Sequence, residues 1–162
     1  MEPITKAALL GSLTASDCWM IHLYAKGAKF DDLHNLAEGY YSRLLQQSDY
    51  LMELAVEMNL PVVNPSEALK YISDYVVENS IEYTWDDAIN IFQHKLGHFI
   101  GVLKDVRESI DRADIQSWLD EVVRDWEKEV HYRLARRSEV RPNMLNGFIN
   151  TGLDDHMAYQ FI

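Results

Sequence analysis

Apolar residues recur at helical spacing along most of the chain. In the segment from about residue 4 to 26 they stop at the Lys-Gly pair 26–27, which is typical of a helix C-terminus. A second run opens at Asp31, a candidate N-cap, places apolar side chains at steps of three, four or seven, and ends before Pro61. The pattern therefore predicts two long helices joined by a short turn.

The helical pattern resumes in the second half of the chain. Asn64, placed directly before a proline, predicts a short helix within the connection. Thr84 opens a third long helix, whose apolar residues repeat in unbroken four-three alternation. Asp111 or Asp114 is the candidate cap of a fourth helix, which extends to about Arg137.

These elements predict an all-α fold. Four long amphipathic helices with one long connection that carries a short helix are typical of a ferritin-like four-helix bundle, with the short helix in the crossover between the second and third helices. Alternating strand patterns are absent from the sequence. We expect residues 1–137 to form the bundle and residues 138–162 an irregular C-terminal tail, because the helical pattern fails after Arg137.

The charge of the chain argues against a nucleic-acid binder. It has 26 acidic and 15 basic residues, which give a formal net charge of −11. Such a chain repels phosphate backbones and suits cationic partners, including metal ions. Its basic cluster, next to the predicted tail, consists of Arg133, Arg136, Arg137 and Arg141. We therefore expect no DNA binding.

The single cysteine and the lack of targeting signals indicate the compartment. Cys18 has no partner for an internal disulfide, and its place in a helical pattern predicts a small buried residue rather than a nucleophile. No cationic segment leads into an apolar run at the N-terminus, and no window of about 18 uncharged apolar residues occurs. We expect a cytoplasmic protein without a membrane segment.

The second predicted helix carries candidate metal ligands. At roughly 100° per residue, His34, Glu38, Asp49 and Glu53 fall within an arc of about 100° on one face. The same face also carries apolar side chains, namely Tyr41, Leu45, Met52 and Val56. A helix that is apolar on two sides has two packing partners, and we expect the second one to be another subunit.

The spacing of the candidate ligands indicates a site shared between chains. His34 and Asp49 are separated by about 22 Å along a helix, whereas metal ligands lie within about 2.0–2.2 Å of their ion. His22 precedes the turn and is likewise far from Glu53. Only two antiparallel copies of the helix could bring the histidines of one chain to the carboxylates of the other, which would create two equivalent sites.

In this arrangement of ligands the chain resembles the Dps family, or mini-ferritins. The matching features are a histidine before a Lys-Gly turn, a second histidine twelve residues later, an acidic residue four after that, and an Asp and a Glu four apart in the second half of the helix. In this sequence they are His22, His34, Glu38, Asp49 and Glu53. The resemblance extends over about residues 4 to 137.

The resemblance implies a spherical homododecameric shell that stores ferric mineral. It further implies that Fe(II) is oxidised at dimer-interface ferroxidase centres, preferentially by hydrogen peroxide. His22, His34, Asp49 and Glu53 would then be the catalytic iron ligands, with Glu38 as a ligand or a residue that supports them. Imidazole and carboxylate donors suit Fe(II). Glu-x-x-His motifs, which an ordinary ferritin centre inside one bundle would require, are absent.

The sequence departs from the family pattern beside the first histidine. Family members usually have Trp and Asn after it, whereas Leu23 and Tyr24 follow His22 here. The alternative function is therefore a Dps-like structural shell that has weak or no ferroxidase activity and binds a protein partner through its tail. Metal-dependent activity would distinguish the two.

Other polar clusters have weaker interpretations. His94 and His98 have the spacing of a metal chelate, but they lie about 200–240° from the apolar stripe, which favours a solvent-facing pair. Asp154, Asp155 and His156 lie in the predicted tail. They would form a further metal site there, or they are solvated residues of a flexible acidic segment. Four acidic residues lie near the start of the fourth helix, namely Asp114, Asp120, Glu121 and Asp125. They would line an acidic entry pore for iron, or their negative charge offsets the positive end of the helix dipole.

Overall fold

The computed structural model describes residues 1–72 and 75–138, and this part of the chain is helical. The four long helices are α1 (Pro3–Tyr24), α2 (Phe30–Glu57), α3 (Trp85–Ser109) and α4 (Ala113–Lys128). A 3-10 helix, Pro65–Lys70, lies in the connection between α2 and α3. Within the described residues there is no strand, only an isolated bridge between Ala25 and Tyr83. The all-α part of the prediction is confirmed.

Two of the predicted helix starts carry the expected caps. The side chain of Asn64 accepts a hydrogen bond from the backbone N–H of Ser66, at the start of the 3-10 helix. Thr84 caps α3, because its hydroxyl accepts from the N–H of Asp87 and donates to the carboxylate of the same residue at 2.7 Å. Each cap thus satisfies one backbone N–H that a helix N-terminus otherwise leaves without a partner.

The predicted caps of α2 and α4 are wrong. The N-cap of α2 is Lys29, and that of α4 is Arg112, and neither makes a side-chain capping bond. Asp31 and Asp114 lie inside the first turns instead, where a negative charge is favourable beside the positive end of the helix dipole. An acidic residue near a helix start is therefore consistent with an N-cap or with a first-turn position, and the sequence alone does not distinguish the two.

The fourth helix changes its winding before it ends. After Lys128 the chain continues as a π-helical segment, Glu129–Leu134, and then one α-helical turn, Ala135–Arg137. Trp126, Val130 and Leu134 succeed one another at steps of four, and all three are fully buried. A four-residue step exceeds the 3.6 residues of an α-helical turn, so the wider π turn keeps all three side chains on the core face.

The long helices share one apolar core. α1 packs along α2 and also contacts α3, while α3 packs against α4. α2 and α4 meet through aromatic side chains: the ring of Tyr40 lies 5.8 Å from that of Trp126, and Tyr50 lies 4.5 Å from Trp118. Each long helix therefore has neighbours on two sides, and no other described element covers the outer faces of α1 and α2.

The predicted tail lies outside the described residues, except for Ser138 at its start. The C-terminal turn before it is fixed to α3, because the indole N–H of Trp85 donates to the carbonyl of Arg137 at 2.8 Å. Among the described helices, none combines the length and the apolar character that crossing a membrane requires.

Candidate metal centre

A tight turn brings the end of α1 beside the start of α2. Gly27 adopts a φ of +105°, a left-handed conformation that favours glycine. The turn is held from outside by Tyr83, whose carbonyl accepts from the N–H of Lys26 and whose N–H donates to the carbonyl of Tyr24, each at 2.9 Å. As a result, the last turn of α1 and the first turns of α2 face each other, and His22 meets His34.

The two histidines bind each other's backbone. The Nδ1 atom of His22 lies 3.0 Å from the carbonyl oxygen of His34, and the Nδ1 atom of His34 lies 2.8 Å from the carbonyl oxygen of His22. The two imidazole rings stack with centroids 3.7 Å apart and an interplanar angle of 24°. Both side chains are half-buried. Each ring is thus fixed in position by the other residue.

This pattern determines which ring nitrogens are available to a metal. A carbonyl oxygen can only accept a hydrogen bond, so Nδ1 of each ring carries the proton. In the neutral imidazole the lone pair therefore lies on Nε2, and neutral Nε2 is a common metal donor. Binding of the other ring nitrogen to a backbone carbonyl is the usual way in which proteins orient histidine ligands.

Glu38 completes a cluster of three potential ligands. One ligand atom from each of His22, His34 and Glu38 lies within 4.8 Å of the other two. Glu38 follows His34 by four residues and so shares its face of α2. Its side chain is exposed and has no hydrogen bond or ion pair with another described residue. Two imidazoles and one carboxylate, with the solvent side open, are a donor set that suits divalent transition metals in general.

The structure does not bring Asp49 and Glu53 to this cluster within one chain. Both side chains are exposed in the second half of α2, and neither has a hydrogen bond or ion pair with another described residue. Because α2 is one uninterrupted helix, Asp49 lies about 22 Å along it from His34. One chain therefore presents two separate groups of the predicted ligands on the same outer surface.

Aromatic side chains surround the histidines. The ring of Tyr41 meets that of His22 edge-on, with centroids 5.5 Å apart, and the ring of Phe30 lies 5.2 Å from that of His34. Tyr41 also lines an apolar groove between α1 and α2 together with Trp19. The helical pattern predicts Tyr41 on this face of α2 but does not predict its contact with His22. Its position two turns after His34 was the available signal.

The residues that depart from the family pattern lie at the surface. Leu23 is 47% exposed and Tyr24 is 42% exposed, although both are large and apolar. Neither ring contacts nor hydrogen bonds join their side chains to His22 among the described residues. The exposed apolar surface of α1 and α2 therefore extends beyond the groove to the end of α1.

The histidines of α3 do not form a comparable cluster. His94 is exposed and His98 half-buried, and both line a cleft at the crossover with Glu78 and Lys95. The described residues hold no third metal-ligating side chain at ligand distance from them. The other candidate cluster, at residues 154–156, lies outside the described part of the chain.

Arginines partly neutralise the acidic residues at α4. Arg112 pairs with Asp114 at 2.9 Å and with Glu57 at 2.8 Å, and Arg107 pairs with Asp120 at 3.0 Å. The hydrogen bond from Arg112 lowers the pKa of Asp114. Glu121 and Asp125 are exposed. The position of Asp114 in the first turn of α4 agrees with the helix-dipole interpretation.

A buried ion pair that the sequence pattern did not reveal fixes the connection between α2 and α3 to the helices. The ammonium of Lys95 lies 2.7 Å from the carboxylate of Asp17, and both side chains are buried. Asp17 also accepts a hydrogen bond from the N–H of Glu78 at 3.0 Å and one from the Tyr75 hydroxyl, and Lys95 donates to the carbonyl of Val76. The sequence feature that could have revealed this pair is the presence of a charged residue within the apolar pattern of each helix, Asp17 in α1 and Lys95 in α3.

Cys18 is buried in the core as predicted. Burial raises the pKa of its thiol, and the neighbouring negative charge of Asp17 raises it further. A thiol that stays protonated is a poor nucleophile and a poor metal ligand. Cys18 is therefore a core residue in this structure.

Comparison of the sequence with protein-family models and with curated proteins finds no match. The residues themselves therefore indicate the function, through the spacing of five potential ligands in the sequence and the cluster that three of them form in the structure.

Proposed function

We propose that this protein is a Dps-like ferroxidase and iron-storage protein that oxidises Fe(II) with hydrogen peroxide at sites between two subunits. The observation that carries the proposal is the cluster of His22, His34 and Glu38, in which both Nε2 atoms are left available by the Nδ1 bonds. These donors suit Fe(II), the substrate, and one side of the cluster is open to solvent.

The register of α2 supports a site completed by a second copy. His34 and Glu53 are centred on a point midway between residues 43 and 44, and Glu38 and Asp49 are centred on the same point. An antiparallel pair about that point places His34 level with the partner's Glu53 and Glu38 level with the partner's Asp49. Packed helices lie about 8–10 Å apart, so side chains from both could reach a common ion.

Apolar side chains occupy the middle of this proposed contact. Tyr41 and Leu45 lie on the outer face of α2 on either side of the centre, and Leu45 is 50% exposed. Trp19, on α1 beside them, is 49% exposed. A two-fold pair buries the same patch of both subunits, with polar sites towards each end, which is the usual form of an isologous interface.

The chemistry divides among these residues. His22 and His34 of one subunit, with Asp49 and Glu53 of the partner subunit, would hold Fe(II), and Glu38 would ligate it or accept hydrogen bonds from its water. Two Fe(II) ions lose one electron each, and one hydrogen peroxide gains two electrons and two protons to form two waters. Carboxylates stabilise the Fe(III) product because their negative charge favours the more highly charged ion.

Storage and assembly extend the proposal. The net charge of −11 attracts Fe(II), and a closed shell of twelve subunits would retain the ferric product, as the resemblance implies. We do not propose DNA binding, because Arg133 and Arg137 both lie 3.9 Å from the buried carboxylate of Glu129 and Arg136 lies over the ring of Tyr132.

A second candidate is a shell protein without efficient ferroxidase activity. The exposure of Leu23 and Tyr24 favours it, since these apolar residues replace the usual pair after the first histidine and offer surface to a protein partner. Both candidates assemble, so a measurement of mass does not separate them.

Oxidation of Fe(II) tests the proposal directly. Fe(II) is added anaerobically to the protein, hydrogen peroxide follows, and the rate of Fe(III) formation is compared between wild type and the double variant Asp49→Asn, Glu53→Gln. The control, Asp105→Asn with Glu108→Gln, removes two exposed carboxylates from α3. We expect rapid oxidation in wild type and control, and the rate of free iron in the variant. Equal rates in all three, no faster than free iron, would contradict the ferroxidase proposal.

A further inference from the structure

Three carboxylates on the outer face of α2 have no cationic partner among the described residues, although some other acidic residues of the surface do. Glu57, Glu82 and Asp120 are all exposed, and each pairs with a lysine or an arginine at 3.0 Å or less. Glu38, by contrast, is exposed and has no cationic partner among the described residues, and the same is true of Asp49 and Glu53. The face that would meet a second copy therefore carries uncompensated negative charge.

Pairing would bring these charges together. In the antiparallel register, Glu38 of one subunit is level with Asp49 of the partner subunit, and Glu53 of the partner follows one turn away. This step rests on the proposed function, because it uses the same pair of subunits. Each of the two equivalent sites would then hold three carboxylates, and its nearest histidines, His22 and His34, are neutral when they ligate a metal. Like charges at such separations oppose association.

We infer that filling of the sites by a divalent cation and pairing of the subunits through α2 are linked, so that the empty pair is weak and the filled pair strong. A cation between the subunits replaces repulsion among Glu38 and the partner's Asp49 and Glu53 with attraction to all three. Within the described part of one chain, the ligands that meet at this site are His22, His34 and Glu38. The cation therefore binds the pair more tightly than it binds one chain.

Linkage makes the effect reciprocal. If pairing increases the affinity of the site for the cation by a given factor, the cation increases the affinity of the subunits for each other by the same factor for each site filled. Coupling of this kind is typically about 5–150-fold. We expect the dissociation constant of the pair to fall by at least about tenfold when the sites are filled.

The donors define which cations act. Two imidazoles with carboxylates favour Zn(II), Mn(II) and Fe(II), whereas Mg(II) prefers oxygen ligands and retains its water. Zn(II) has no redox chemistry and so separates assembly from oxidation. The inference therefore predicts a response to Zn(II) that an equal concentration of Mg(II) does not reproduce, which distinguishes a site from general screening of charge.

The test is sedimentation velocity on the full chain over a range of concentrations, with chelator, with Zn(II) and with Mg(II) at constant ionic strength. Wild type is compared with Asp49→Asn, Glu53→Gln and with the α3 control Asp105→Asn, Glu108→Gln. In wild type and control, the dissociation constant of the pair in Zn(II) should be at least about tenfold lower than in chelator or in Mg(II). The α2 variant should associate more tightly than wild type in chelator and gain no response to Zn(II).

The outcomes separate this inference from the proposed function. If wild type assembles equally in chelator and in Zn(II) yet oxidises Fe(II) rapidly, the linkage is overturned and the ferroxidase stands. If the α2 variant responds to Zn(II) as wild type does, the linkage is likewise overturned, because the response then arises elsewhere. If wild type forms no pair in any condition and does not oxidise Fe(II), the shared site fails and the inference fails with it.

Discussion

The Nδ1 atom of His22 donates to the carbonyl of His34 at 3.0 Å, and the Nδ1 atom of His34 donates to the carbonyl of His22 at 2.8 Å. The carbonyl of His22 lies in the last turn of α1, where carbonyls have no N–H partner within the helix. His34 thus closes the end of α1 with one nitrogen and leaves the other for a metal. The same two bonds hold the turn and orient the site.

The two roles of His34 can be separated by substitution. Asn offers a side-chain N–H at a similar distance from the backbone as Nδ1, but it has nothing equivalent to Nε2. We expect His34→Asn to retain the hydrogen bond and most of the stability while Zn(II) binding is lost. His34→Ala should lose binding and also about 0.5–1.5 kcal/mol of unfolding free energy.

Urea unfolding and calorimetric titration with Zn(II) measure the two effects. Both are done at one protein concentration, because association contributes to the apparent stability. Zn(II) binding of wild-type strength in His34→Asn would show that Nε2 of this residue is not a ligand. A stability of His34→Asn as low as that of His34→Ala would show that the amide does not replace the ring.

Much of the fold was predictable because helices are specified locally. The bounds of α1 and α3 follow from apolar spacing and from residues such as Thr84, whose hydroxyl caps its own helix. The start of α2 was misplaced, because Asp31 in a first turn and Asp31 at an N-cap differ only in backbone geometry. The π-helical segment was not predicted, because it depends on how Trp126 and Val130 pack in the core and not on a local sequence pattern.

The site was predictable only in part. Spacing alone places His34 and Glu38 on one face of α2, and the Lys-Gly turn brings His22 to them. The exchange of hydrogen bonds between the histidines was not predictable, because it depends on the angle at which α1 meets α2. The pair formed by Asp17 and Lys95 joins residues 78 positions apart, and no local pattern specifies such a contact.

The buried pair of Asp17 and Lys95 should respond non-additively to substitution. Lys95→Met leaves Asp17 without its cation, and Asp17→Asn leaves Lys95 with Glu78 at 3.6 Å as its remaining carboxylate. Removal of one partner of a buried ion pair costs about 3–5 kcal/mol. The double variant should cost less than the sum of the two, because neither charge is then left buried alone.

A double-mutant cycle from urea unfolding measures this coupling. The exposed pair of Lys26 and Glu82, also at 2.7 Å, is the matched control, and its cycle should give a much smaller coupling because solvent screens both charges. Strict additivity at Asp17 and Lys95 would show that the two charges are stabilised independently by the crossover.

The thiol of Cys18 should be inert in the folded protein. Burial and the charge of Asp17 raise its pKa, so the reactive thiolate is suppressed near pH 8, where an exposed cysteine is partly ionised. Titration with an aromatic disulfide reagent should detect one thiol per chain only after unfolding in guanidinium. A control with an added surface cysteine, Asp105→Cys, should show one thiol at once. Immediate modification of wild type would contradict the burial of Cys18.

Substitution of two helical glycines by alanine should have opposite effects. A Cβ atom on Gly11 of α1 would clash with the hydroxyl of Ser48 and lie 3.1 Å from the ring of Phe99, whereas one on Gly101 of α3 would meet nothing within 4 Å. Both changes gain about 0.8–1.0 kcal/mol of helix propensity. We expect Gly101→Ala to be stabilising and Gly11→Ala to be destabilising, because overpacking of a core costs about 1–3 kcal/mol.

The hydroxyl of Ser48 gives this last prediction an internal control. It is buried and has no hydrogen-bond partner among the described residues, so Ser48→Ala removes the clash without breaking a bond seen there. Gly11→Ala should therefore cost less in the Ser48→Ala background than in wild type, and the remaining cost should come from the ring of Phe99, which cannot rotate away as a hydroxyl can. Thermal or urea unfolding of the four proteins measures the difference. An equal cost in both backgrounds would show that Phe99 alone sets the approach of α1 to its neighbours.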